Sequence, residues 1–270
     1  MSFRDEHPFL RKEHPSCDYP AWQPPIELDL VTGGEYPCSY LPDRMAQTRY
    51  FLVSEIDGLS YQSFMDAGFR RSGDMIYQPV CRGCRACLPL RVPVAQFAMN
   101  KSQRRCLKRN SDLSVGFAEP VCTAEKFDLY ARYQRDWHSR PADDTSPLDL
   151  ERFLYDSPTE SLEFEYRDPA GRLLAVGICD VAETFLSSVY FYFDPAESQR
   201  CLGTFGALQE LRVAKELLIP HYYLGYWVNG CRSMQYKANF RPCEVMSPDG
   251  MWRPVGDECG LTGLSEVNGE

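Results

Sequence analysis

Three cysteines stand three residues apart in "VCRGCRACLP": Cys81, Cys84 and Cys87, with Arg82 and Arg85 between them. Neighbouring arginines lower thiol pKa values and favour thiolates. The group therefore reads as a metal site, a redox site or reduced thiols that pack a domain. A second chemical signal follows within twenty residues. In "NKSQRRCLKRN", Lys101, Arg104, Arg105 and Lys108 recur at helical spacing, so four cations share one face, and Arg109 flanks them. A like-charged stripe weakens an isolated helix, so either an anionic partner compensates it, phosphate being the obvious one, or the stripe is a plain exposed face. A third signal is the glycine loop "RCLGTF" ahead of a helix, where Arg200, Gly203 and Thr204 can meet a phosphate on backbone amides.

The rest of the composition sets these signals in a soluble globular frame. The chain has 270 residues, 44% hydrophobic and 25% charged, with no apolar run of the roughly 18–20 residues that a membrane span needs. The start, "MSFRDEHPFLRKEHPSCDYP", carries charges throughout and no apolar core of a secretory signal. A cytoplasmic location is expected, where twelve cysteines are thiols or ligands rather than a disulfide framework. The net charge of −9 hides an asymmetry: Arg70 to Arg109 carries ten basic residues and one acid, so it is +9 and leaves −18 on the remainder. The acidic total argues against general nucleic-acid binding, and the basic block is either the contact for a local anionic partner or a solvated face paired with acidic neighbours.

The elements that must position these groups form two textures. Residues 1–35 hold five prolines and read as an extended lead-in. Strands are expected at Met45–Val53, "DMIYQPV" and "LPLRVPV", with a short helix "LSYQSFMDAGF" ended by Gly68. Asn100 caps the basic helix, and "TAEKFDLYARYQRDWHSR" and "LDLERFLYDS" are two more helices. From Leu162 the order is strand, strand, strand, glycine loop, helix (Thr204–Leu218), strand "YYLGYWV", and a helix from about Cys231. That is the order of an N-acetyltransferase-type (GNAT) acyltransferase core. Phe205 stands where the last small residue of the pyrophosphate loop would be, which argues against acetyl-CoA.

Six separated stretches, "YPCSYLPDR", "GFRRSGDMIYQPVC", "YARYQRDWH", "SSVYFYFDP", "LGTFGALQE" and "YYLGYWVNGCRSMQYKANFRP", together resemble the aminoacyl-tRNA–protein transferases. More closely, they are similar to the short bacterial branch that leucylates acidic N-termini. The resemblance runs from about Tyr36 to Pro242. It implies transfer of leucine from leucyl-tRNA to the α-amine of a protein that begins with Asp or Glu, creating an N-end-rule degradation signal.

An aminoacyl ester is already activated, and an α-amine with pKa ~7.7–8.0 is partly free at neutral pH. No covalent intermediate and no cofactor is required for such chemistry. The implied catalytic candidates are Asp180, Tyr190, Tyr192, Gln134 and His138. An acidic N-terminus calls for a planar cationic fork, with Arg70 and Arg71 first and Arg91 in reserve. Lys101, Arg104, Arg105, Lys108, Arg109, Arg200, Gly203, Thr204 and Lys237 are the candidates for the tRNA backbone. Tyr226 and Trp227 either stack on its terminal adenine or pack in the core of their strand.

The resemblance also supplies Cys38 as a fourth thiol for Cys81, Cys84 and Cys87, a set suited to structural zinc or an iron–sulfur cluster. Long eukaryotic relatives have C-G-Y-C where this chain has "CSYL". The expected fold is α/β (α+β), with an N-terminal cysteine-containing region (36–98) packed against a GNAT-like domain (99–245) and a tail (246–270). An arginyl-transferring relative, an acetyl-CoA enzyme and a non-enzymatic zinc-knuckle RNA binder are the rival readings.

Overall fold

The structure is a computed structural model that describes residues 27–140, 146–231 and 233–255. Most of the lead-in and of the tail expected from the sequence lies outside those residues. Polar and proline-broken sequence first gives short strands: β1 (Val31–Thr32), β2 (Tyr36–Pro37), β3 (Met45–Ala46) and β4 (Thr48–Leu52). Asp57 then caps α1 (Gly58–Asp66), its carboxylate accepting from the Leu59 and Ser60 amides at 3.0 Å each. The left-handed Gly68 (φ 89°) follows α1 and turns the chain into β5 (Arg70–Ser72) and β6 (Met75–Pro79). Strands β1, β4, β6 and β5 make a four-stranded antiparallel sheet in that order.

Next come β7 (Cys87–Pro93), α2 (Lys101–Arg109), β8 (Ser114–Ala118) and α3 (Ala124–His138). The helix α4 (Pro147–Leu150) passes into a π-turn at Glu151–Tyr155. The chain then runs through β9 (Ser161–Arg167), β10 (Leu173–Val181), β11 (Phe185–Phe193), α5 (Leu202–Glu216), β12 (His221–Val228), β13 (Glu244–Met246) and β14 (Trp252–Pro254). Asn100 and Gln103 close a reciprocal capping box on α2. β10 is buried at every position, which is why its sequence is nearly all apolar.

The large sheet has eight strands in the order β14-β13-β7-β12-β11-β10-β9-β8. All neighbours are antiparallel except β11 and β12, which α5 connects as a parallel pair. The mixed α/β architecture matches the expected order of elements. On one face, α5 packs Phe205, Leu208 and Leu211 against Leu174, Leu186 and Tyr222. On the other, α3 sets Leu129, Tyr130 and Tyr133 over Val176, Ile178 and Tyr192. The small sheet docks on that second face too, with Phe51, Ile56, Tyr61 and Met65 on Phe185 and Tyr223.

Three local readings change. The helix expected from about Cys231 is one 3-10 segment, Gln235–Asn239, and residue 232 lies outside the described chain. β8, β13 and β14 have too few alternating residues to be seen in sequence. The boundary at residue 98 cuts through a sheet, because β7 sits between β12 and β13 at its heart.

Candidate active site

The parallel pair β11–β12 is matched over only three positions, the last being Ser187 with Tyr223. Both strands bulge immediately afterwards. Tyr190 and Ser188 take successive places against β10, leaving Val189 out of register. Gly225 and Tyr223 do the same against β7, leaving out Leu224. Gly225 has φ 76°, a conformation that favours glycine. Bulges bend a strand and end its pairing, so the β11–β12 ladder stops here; this parting of the two strands, on the face where α3 and the small sheet pack, is the mouth. Opposite this mouth, Gly206 lets α5 lie directly on Phe191, since a Cβ there would overlap the ring.

On the α3 side, the Gln134 Nε2 donates to the Tyr190 hydroxyl at 3.0 Å. That bond uses the hydroxyl oxygen as acceptor, so its own proton is left to give away. Burial raises the Tyr190 pKa, and the bond from Gln134, then the Arg140 charge, act against that rise. Gln134 is buried, and its Oε1 has no partner among the described residues. A free donor and a free acceptor therefore stand side by side. His138 lies one turn further along α3, exposed and edge-on to Tyr133 at 4.9 Å. Tyr192 does not reach the mouth: it is fully buried under α3 and its hydroxyl is 2.9 Å from that of Tyr155.

On the other side stands Arg70. It is 5% exposed, and Nη1 donates to the carbonyls of Phe69 (2.6 Å) and Met65 (3.3 Å). Its Nε and Nη2 have no partner among the described residues, and no carboxylate there pairs with it. The guanidinium lies over the rings of Tyr226 and Tyr223, at 5.5 and 5.6 Å. Lys237 comes to the same place from the 3-10 segment, its Nζ donating to the Tyr226 carbonyl at 2.9 Å. Burial first, then the Arg70 charge, lowers its pKa to about 8. Two cations thus stand near each other at Tyr226 and form a partly buried pocket lining, and neither is paired with a carboxylate among the described residues. Such a pocket is unfavourable when empty and is completed by a carboxylate or a phosphate.

The adjacent Arg71 points the other way along its strand, into a fully buried bidentate pair with Asp180. Nε and Nη2 meet the carboxylate at 2.9 and 2.7 Å, and Ser161 adds a 2.7 Å bond. This corrects two expectations at once. The Arg71 fork is closed on Asp180, and both side chains are fully buried, so neither faces a substrate in this structure. Arg91 is likewise occupied, by Glu244 (2.7 Å) and Asp66 (3.1 Å), with Trp252 beneath it.

Among the tRNA candidates, Lys101, Arg105 and Lys108 are exposed and enter no ion pair among the described residues. Arg104 donates to the Met99 carbonyl, and Arg109 to the Gln199 carbonyl and the Cys201 sulfur. Arg200 is neutralised by Asp112, at 2.9 and 3.0 Å, and by Glu197 at 2.9 Å. Gly203 and Thr204 form the first turn of α5, with open space above Gly203. Tyr226 and Trp227 are 5% and 3% exposed, and the Tyr226 hydroxyl bonds the Gly68 carbonyl. Strand packing has closed their faces, so neither offers a stacking platform.

The four cysteines lie at the β7 end of the small sheet. The Leu41 amide approaches the Cys38 sulfur at 3.5 Å and the Gln47 amide that of Cys81 at 3.4 Å. Burial, with the neighbouring thiols of Cys81, Cys84 and Cys38, raises Cys87 to about 12. Thiols suit zinc or an iron–sulfur cluster in kind, but no three His, Cys, Asp or Glu among the described residues are arranged to hold a metal ion. No step below runs through one.

Sequence reasoning missed Val189 and Leu224, because a bulge leaves no mark in residue types. It also missed Glu210, although that residue ends the quoted "LGTFGALQE". Glu210 is buried beneath Gly177, receives the Tyr222 hydroxyl, and burial raises its pKa.

Comparison with known proteins bears on all of this. Residues 36–105 match the profile described as "Arginine-tRNA-protein transferase, N terminus", and residues 125–247 match its C terminus. A protein named aspartate/glutamate leucyltransferase from Stenotrophomonas maltophilia (strain R551-3) is 41% identical over 242 residues, covering 86% of this chain and 95% of its own. One of the same name from Nitrosococcus oceani is 43% identical, covering 81% and 92%. A solved structure, the C-terminal domain of a putative lysylphosphatidylglycerol synthetase from Agrobacterium fabrum, overlays with TM-score 0.45 at 15% identity, covering 74% of this chain and 64% of that one.

Proposed function

The chain belongs to the arginine-tRNA-protein transferase family, and on that premise we propose that it transfers leucine from leucyl-tRNA to the α-amine of proteins beginning with Asp or Glu. The observation that carries the reading is the pair of cations, Arg70 and Lys237, held without an anion beside the mouth where β11 and β12 part. The side-chain carboxylate of the acceptor's first residue satisfies them, and its α-amine then faces the mouth. The product bears an N-terminal leucine, a degradation signal. We place the enzyme in the cytoplasm, where charged tRNA is found. Among the described residues no helix is long and apolar enough to cross a membrane.

The reaction needs alignment and two charge adjustments. The amine nitrogen attacks the ester carbonyl, a C–N bond forms, and the oxygen takes the electron pair. We assign that oxyanion to the backbone of the Val189 bulge. The C–O bond to the ribose then breaks, and the proton lost by the amine ends on the ribose oxygen. Gln134 Oε1 is the acceptor that holds the amine, and the Tyr190 hydroxyl is the donor that meets the leaving oxygen. Neither step consumes a cofactor.

Leucyl transfer is favoured over arginyl transfer because both relatives cited above are named leucyltransferases. The zinc-knuckle reading loses its physical basis, because β7 is an interior strand of the large sheet and cannot act as a separate module. The deciding assay supplies labelled leucyl- or arginyl-tRNA with peptides beginning Asp, Glu, Lys or Ala. Label passing from leucyl-tRNA to the Asp and Glu peptides alone is expected. No transfer from either tRNA sinks the proposal.

The α2 cations enter as a backbone contact that reads no sequence. Changing Lys101, Arg105 and Lys108 together to Ala should reduce the slope of log K against log salt by about 2–3. Binding of acidic peptide should stay within twofold. An unchanged slope would remove α2 from the tRNA path.

A further inference from the structure

A cleft of about 350 Å³ opens between the end of α2, the start of β8 and α5. Leu107, Leu113, Val115 and Phe205 give it apolar walls, and Asn110, Ser111, Gln209 and Arg212 make the rest of its lining polar. Two amides in its wall, Asn110 and Gln209, are 1% and 8% exposed. Neither Asn110 Oδ1 nor Gln209 Oε1 has a hydrogen-bond partner among the described residues. The Asn110 orientation is fixed, because its Nδ2 donates to the carbonyls of Arg200 (2.8 Å) and Cys106 (3.0 Å). Turning the amide over would set its oxygen against both.

An acceptor buried without a donor is destabilising, and two residues of this cleft's wall each carry one. What would complete it is flat, with apolar faces to meet the leucines, valine and phenylalanine, and with N–H donors at its edge. The helix on its rim adds charge, since Lys101, Arg105 and Lys108 of α2 have no anionic partner among the described residues. Single-stranded RNA has both features, in unstacked bases and in flanking phosphates. With Tyr226 and Trp227 closed, a base also lacks the platform that the sequence suggested.

We propose that this cleft receives one unpaired nucleobase of the aminoacyl-tRNA, a base with an exocyclic amino group, while the α2 cations take neighbouring phosphates. The inference rests on the leucyl-tRNA reading and adds the subsite at which the donor is gripped.

Two variants test it in the transfer assay: Leu113→Trp, which fills the cleft, and Gln209→Leu, which removes one acceptor. Each should raise the KM for charged tRNA about tenfold, roughly what one base contact is worth. The KM for acidic peptide and the melting temperature should hold. In parallel, the wild-type protein is titrated with AMP and with UMP. AMP, with its amino group, should bind and be displaced by Leu113→Trp, and UMP should not bind measurably. A tRNA KM within twofold of wild type in both variants overturns the subsite, as does equal binding, or no binding, of the two nucleotides. If the wild type transfers nothing, the leucyl-tRNA reading falls, and the nucleotide titration still decides the cleft.

Discussion

Arg70→Met is expected to lower kcat/KM for peptides beginning with Asp or Glu by about 100-fold, with the KM for charged tRNA and the melting temperature essentially unchanged. The prediction follows from how the side chain is held. Arg70 is buried, and two of its donors are unused among the described residues, so it waits for a partner that the folded protein itself does not supply. A substrate carboxylate placed there gains charge-assisted bonds inside a pocket walled by Tyr226 and Tyr223. Removing one partner of such a pair costs about 3 kcal/mol, which is roughly 100-fold. Methionine keeps most of the volume and removes an unsatisfied charge, so the fold should not suffer. A fall in melting temperature with unchanged peptide kinetics would assign Arg70 to structure instead.

Lys237 gives the same pocket a pH dependence with a definite sign. Its folded pKa is near 8, below the ordinary 10.5. Below pH 8 the ammonium is charged and holds the carboxylate; above it the charge is lost and the peptide KM should rise. The attacking amine needs the opposite change, losing its proton at ~7.7–8.0. Activity on acidic peptides should therefore peak near pH 8, and Lys237→Arg should lift its alkaline limb. The effect on stability has the opposite direction. Between pH 8 and 10.5 the unfolded chain binds the proton that the folded one has released, so this residue's contribution to stability improves as pH rises through that window.

The second large effect concerns the neighbour of Arg70. Arg71→Ala or Asp180→Ala should destabilise the protein by about 3–5 kcal/mol, because each leaves a fully buried charge without its partner. Thermal or denaturant unfolding measures this directly. The pair spans 109 positions and ties β5 of the small sheet to β10 of the large one. Its loss should loosen the docking that sets Arg70 beside the mouth. Replacing both residues together by Leu and Ala should recover part of the loss, since no isolated charge remains. Normal stability in Arg71→Ala, with selective loss of acidic peptide binding, would restore Arg71 as the substrate's fork.

Much of the architecture lay in local patterns. The capping boxes, the left-handed Gly68 and the amphipathic α3 act within a few residues, so their elements appear where the sequence put them. The apolar run of β10 marked a strand, and the structure shows it buried at every position. The cations of α2 share a face through helical spacing alone. The quoted motifs, in order along the chain, were enough to identify the family.

What the sequence could not settle was which polar side chains are free. "GFRRSGD" offers two identical arginines, and strand alternation says only that they face opposite ways. Tertiary pairing spends Arg71 on Asp180 and leaves Arg70 with open donors. Arg91 and Arg200 are consumed by carboxylates distant in sequence, while Tyr192, Tyr226 and Trp227 vanish into packing. The mouth itself depends on two bulges and the early end of one parallel pairing, properties of register between strands. Local interactions fix a helix or a cap, and residue types fix what chemistry is available. Burial and pairing act between segments far apart in the chain, and they decide which of those groups remains for a substrate.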